Sequence, residues 1–195
     1  MTTPIVGPEW KDELVTAFES LVQTDADFWG GLEPDVFVAP IGEAWSPSDN
    51  VRHLAKSTKA VANALKLPRI VPTLLYGRSS ARSRSYAEVV FAYRAVLAGG
   101  ATAGRFAPSG QPAFTDASVF QKDVVARWSA TVMKLARVVE GWSEPELDTI
   151  RLPHPLLGKL TVREMLMFTY YHHEHHAMTV KRRLADARRE SAQSP

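Results

Sequence analysis

Apolar side chains return at every third or fourth position in four separated stretches of this chain, and strand-like alternation never persists beyond a few residues. That period lets a helix bury one stripe, and four such stripes must be buried against one another. The first stretch runs from Pro8 to about Asp27, with Trp10, Leu14, Phe18 and Leu21 in its stripe and Gly30, Gly31 and Pro34 ending it. The chain to Gly42 then reads as loop or short extended backbone. The second stretch opens at Ser46-Pro47-Ser48-Asp49. Serine as N-cap, proline at the first helical position and aspartate three residues on make a capping box variant. It reaches about Leu67 and buries Val51, Leu54, Thr58, Val61 and Leu65. The third, capped by Thr115 or Asp116, ends at Glu140 and aligns Val124, Trp128, Val132, Leu135 and Val139. The fourth follows the capping box Thr161-Val162-Arg163-Glu164 and runs to about Arg183.

Between the second and third stretches lies a long insertion, residues 68–114. It holds a connection rich in Pro, Ser and Arg, a short helix opened by Ser85-Tyr86-Ala87-Glu88 and closed by Gly99-Gly100, and a loop from Ala101 to Phe114. The expected architecture is all-α: a four-helix bundle with one short extra helix, as a single domain over residues 1–195.

The fourth helix carries four of the six histidines, at 172, 173, 175 and 176. On a helical wheel His176 falls about 40° from His172, with Met165 and Thr169 on the same face. Two imidazoles at i and i+4 on one face can meet at one metal ion. They can equally be core histidines satisfied by hydrogen bonds, or part of a surface run. His173 and His175 point to the flanks, and Glu174 falls on the opposite side as a solvated charge. No HExxH occurs, so a zincin-type protease is unsupported. On the second helix His53 lies off both the apolar and the charged rows, among the small residues Ser57, Ala60 and Ala64. Capping already explains Asp49 and Glu164. His154 sits between two prolines in RLPHPLLGKL, a loop or short extended piece.

A formal net charge of +2 gives no field that argues for nucleic acid. No cysteine is present, which excludes disulfides, thiolate ligands and a cysteine nucleophile. No apolar run reaches the length of a membrane span, and MTTPIVGPEWKDEL lacks a basic region followed by an apolar one, so a cytoplasmic protein is expected. Neither GxGxxG nor GxxxxGK[ST] appears.

Trp45-Ser46-Pro47-Ser48-Asp49-Asn50-Val51-Arg52-His53-Leu54 resembles the opening of the second helix in the DinB-like (YfiT-like) family of four-helix bundles. PLLGKLTVREMLMFTYYHHEHHAMTVKRR resembles that family's last helix, with its HxxxH pair. The resemblance implies a metal site of one histidine on the second helix and two on the last, which here are His53, His172 and His176. A later position, often glutamine or histidine in the family, is Thr179. Three imidazoles leave a divalent ion such as Zn²⁺ or Ni²⁺ an open position. The function implied is that of a metal-dependent enzyme acting on a small molecule: a transferase using a low-molecular-weight thiol, or a hydrolase. Arg52 or Arg94 would then bind a carboxylate of the thiol. The resemblance also suggests a homodimer. The contrasting reading is a non-catalytic bundle, a small-ligand binder or stress-response scaffold, with structural histidines.

Overall fold

The computed structural model describes residues 4–193; the first three residues of the N-terminal stretch read above lie outside them. In chain order the elements are α1 (Lys11–Gly30), α2 (Pro34–Val38), α3 (Pro47–Lys66), α4 (Ile70–Tyr76), α5 (Tyr86–Ala98), a 3₁₀ turn (Gly104–Phe106), α6 (Ala117–Glu140), α7 (Glu144–Thr149), β1 (Arg151–His154), β2 (Gly158–Thr161) and α8 (Val162–Gln193). The four long helices α1, α3, α6 and α8 form the bundle, and α6 packs most extensively, against α3 and α1. The expected all-α class holds. Ser46 Oγ accepts the Asp49 N–H at 3.0 Å, Asp116 caps α6, and both capping boxes of α5 and α8 are made. The α6 stripe read from the sequence is buried throughout, and Trp29, Trp128 and Trp142 are the largest fully buried side chains among the described residues.

Four local readings change, and a fifth, the loop or short extended piece around His154, takes a definite form. The segment after α1 contains α2, a single turn started by Pro34 that seats Phe37 in the core. The connection after α3 contains α4, whose Leu74 and Leu75 face outward, so no amphipathic pattern announces it. Trp10 is not part of the α1 stripe: it is the N-cap residue, largely exposed, with the Arg163 guanidinium over its ring. RLPHPLLGKL forms an antiparallel hairpin in which Arg151 pairs with Thr161 and His154 with Gly158. Gly158, at φ +75°, supplies the left-handed residue that the reversal needs. α8 continues ten residues beyond Arg183, into largely polar turns.

The start of α8, which sets the height of its histidines, is held tightly. The buried Arg163 guanidinium donates to Asp148, Glu144 and the Glu9 carbonyl. Glu164 accepts from the Thr161 N–H and also pairs with Arg84. No helix among the described residues is long and apolar enough to cross a membrane.

A candidate metal centre

His53 on α3 and His172 and His176 on α8 converge, although 119 residues separate the first two. His172 Nε2 lies 3.1 Å from His53 Nε2 and 3.1 Å from His176 Nε2, and one nitrogen from each ring falls within 4.8 Å of the others. His53 is buried, and small residues beside it on α3 let the ring reach across to α8.

The outer nitrogens fix two of the tautomers. His53 Nδ1–H donates to the Phe106 carbonyl at 2.8 Å, and His176 Nδ1–H donates to Asn50 Oδ1 at 2.7 Å. Asn50 is itself oriented, since its Nδ2 donates to the Ser46 carbonyl at 2.8 Å. Each of those rings therefore presents a bare Nε2 lone pair inward. His172 can offer one Nε2 proton to two acceptors, so the cluster is one proton short of satisfying itself. Burial, then mutual repulsion, holds His172 and His176 well below the usual histidine range, and burial lowers His53 as well. All three are neutral near pH 7, the form that binds a metal.

A divalent cation fits this donor set. Tetrahedral ligands at 2.0–2.1 Å from an ion stand about 3.3 Å apart, close to the observed 3.1 Å contacts. Hydrogen bonds from the outer nitrogens to oxygen acceptors are the usual support for metal-ligating imidazoles.

The cluster opens into a cavity of about 390 Å³ whose wall is mainly aliphatic and aromatic, including Val61, Leu97, Leu152, Met165 and Phe168. Among the described residues no Asp or Glu lines it, and Arg105 is the one permanent charge in its wall. Phe168 stacks on His172 at 5.1 Å between centroids, and Tyr93 meets His172 edge-on at 5.9 Å.

The remaining sequence readings separate here. His173, read as pointing to a flank, is fully buried there, donates from Nδ1 to the Thr169 carbonyl, and accepts at Nε2 from the Thr58 hydroxyl. Glu174 is not a solvated charge, since it accepts the Tyr86 hydroxyl at 2.8 Å. Its helical face is opposite the cluster, but α5 packs there. Arg52 is occupied by Asp49 and by the carbonyls of Ser109 and Gly110, and Arg94 by the Tyr171 hydroxyl, and neither lines the cavity. His175 reaches the cavity wall. Thr179 takes no part in the hydrogen bonding of the cluster. Asn50, Phe106 and Arg105 were not singled out in the sequence. Asn50 could have been, because it precedes His53 by three residues and so shares its face. The Phe106 carbonyl has no side-chain signal at all.

The family model described as the DinB superfamily matches residues 26–180, a span that contains all three clustered histidines and the hairpin. No curated protein and no solved structure matches the chain.

Proposed function

Since the chain belongs to the DinB superfamily, we propose that it is a metal-dependent enzyme in which His53, His172 and His176 hold one divalent ion, Zn²⁺ or Ni²⁺, beside a pocket for a small organic substrate. The observation that carries this reading is the meeting of three neutral imidazoles, two buried and one half-buried, with too few protons among them to pair. A buried acceptor facing another acceptor is costly, and a cation removes the conflict.

An ion held there supplies Lewis acidity, which lowers the pKa of a water or thiol and polarises a carbonyl. The chain's own residues do the rest. Asn50 and the Phe106 carbonyl hold two rings with their lone pairs inward. Phe168 and Tyr93 pack on His172 and keep water from its faces. The reaction class is thiol-dependent S-transfer or hydrolysis. With no carboxylate in the wall, proton transfer falls to the half-buried His175 or to solvent.

The test is metal content followed by thermal stability. Elemental analysis of protein purified without chelator should find a divalent metal near one per chain. Added Zn²⁺ or Ni²⁺ should raise the Tm of stripped protein. His176→Ala should abolish that rise while leaving helical content unchanged. A rise retained in His176→Ala would mean the ion sits elsewhere. A metal-loaded sample then enters a screen of ester and amide hydrolysis and of thiol transfer.

A further inference from the structure

His154 is the one histidine in the cavity wall outside the α3 and α8 helices. It ends β1, and its Nδ1 accepts two backbone N–H groups of the hairpin turn, from Leu156 at 3.2 Å and from Leu157 at 3.0 Å. An imidazole nitrogen that accepts is unprotonated, so the neutral ring carries its hydrogen on Nε2. Burial alone pushes this imidazole down to about 4, which keeps it neutral at physiological pH. Nε2 finds no acceptor among the described residues, yet it is not sealed away like the orphaned indole N–H groups of Trp29 and Trp128. The residue is 8% exposed, and the cavity is the space it borders. Its ring meets Phe168 edge to face at 4.3 Å, and Phe168 stacks in turn on His172. One aromatic ring therefore separates this donor from the three-histidine cluster.

We propose that His154 Nε2–H is a substrate-recognition point, donating a hydrogen bond to a carbonyl or similar oxygen on a mainly apolar molecule without a cationic group, which lies along Phe168 with its other end at the histidine cluster. The substrate class follows from the wall. Apolar side chains surround the donor, no carboxylate is present to hold an ammonium, and a polar donor left unpaired in such a wall is satisfied by an acceptor on the ligand. The hairpin turn locks the tautomer, so the donor is in place before anything binds. This inference rests on the cavity being the substrate pocket of the proposed enzyme, but not on which metal is held.

The experiment uses 2-acetonaphthone, an aryl ketone, and 2-ethylnaphthalene, which has no acceptor. Both are titrated into the protein as purified and after chelation, and the bound ketone's carbonyl stretch is followed by infrared difference spectroscopy. Two variants separate recognition from structure. His154→Asn keeps an acceptor for the turn amides and removes the donor, whereas His154→Gln places an amide N–H near the position of Nε2 and abandons the turn. In the wild type the carbonyl band should sit below its position in cyclohexane. In His154→Asn it should return upward, with binding weaker by about five- to tenfold and Tm nearly unchanged. His154→Gln should keep the lowered band while losing Tm. The hydrocarbon should bind wild type and His154→Asn alike. A lowered band and full affinity in His154→Asn, equal loss for the hydrocarbon, or no ketone binding by wild type would each overturn the proposal and leave His154 as a turn staple. The Zn²⁺-induced Tm rise is measured on the same samples. Its absence in wild type counts against the metal reading alone, since the chelated arm reads the donor independently.

Discussion

Asn50 is the residue whose replacement most sharply tests how the histidine cluster is prepared. Its Oδ1 accepts the His176 Nδ1–H at 2.7 Å, and at 3% exposure no bulk water stands ready to replace it. In Asn50→Ala the His176 ring loses the partner that keeps its proton on Nδ1. The alternative tautomer, with the proton on Nε2, blocks the lone pair that faces His172. Loss of such an outer partner lowers metal affinity about 10- to 100-fold, or roughly 1.4–2.7 kcal/mol. The side chain also donates to the Ser46 carbonyl at 2.8 Å, so stability without metal should fall by about 1 kcal/mol. Asn50→Asp separates the two effects. It keeps an acceptor for His176, so affinity should stay near wild type, but its second oxygen faces the Ser46 carbonyl and stability should fall further than in the alanine variant. Competition of Zn²⁺ against a chromophoric chelator reads affinity, and melting in EDTA reads stability. If Asn50→Ala binds zinc within twofold of wild type while His176→Ala does not bind it, the orienting role is wrong. The same follows if the aspartate variant loses as much affinity as alanine.

Other outcomes follow from the same contacts. Lys56 donates to the carbonyls of Arg105 and Ala107, and Arg52 to those of Ser109 and Gly110, so Arg52→Ala/Lys56→Ala should speed amide exchange across residues 101–114 and weaken metal binding through Phe106. Tyr86→Phe removes a hydroxyl bonded to Glu174 and should cost about 1.5–3 kcal/mol in denaturant unfolding. Asp25 is buried with Oδ2 unpartnered, and burial pushes its carboxyl up to about 6 from 3.8. The native state therefore holds the proton that the unfolded chain releases between those values, and stability falls as pH rises through that window. Asp25→Asn should gain about 2–3 kcal/mol at pH 7.5 and nothing at pH 3.5, measured by urea unfolding. Burial lowers His154 and His173 to about 4, which acts in the opposite sense, because the unfolded chain takes up their protons first as pH falls from 6.5 toward 4. Asp25→Asn should thus also steepen the loss of stability on acidification.

The long helices were legible because each has a stripe and three of them also have a capping side chain: Ser46, Asp116 and Thr161 act in the structure as their spacing implies. α2 and α4 were not, since a turn or two of helix carries too few residues for a period to emerge, and the exposed Leu74 and Leu75 break the expected pattern of burial. At the cluster, helical spacing brought out His172 and His176, and the resemblance to the DinB-like family added His53. What spacing could not deliver was the contribution of the insertion. Phe106 reaches His53 through a backbone carbonyl, an atom every residue has, and Arg105 enters the cavity wall from a loop with no repeat to read.

Neighbouring histidines show why burial alone does not separate a structural imidazole from a functional one. His172 and His173 are adjacent, both buried and both held neutral. His173 has an acceptor for its one proton and a hydroxyl donor for its one lone pair, so nothing about it asks for a ligand. His172 faces two lone pairs with at most one proton to give. His154 shows the converse imbalance, with two donors on one nitrogen and a proton on the other that no residue accepts. One cavity thus holds an excess of acceptors at one end and an unused donor at the other. On the proposed reading a cation would answer the first and a substrate oxygen the second, with Phe168 between them.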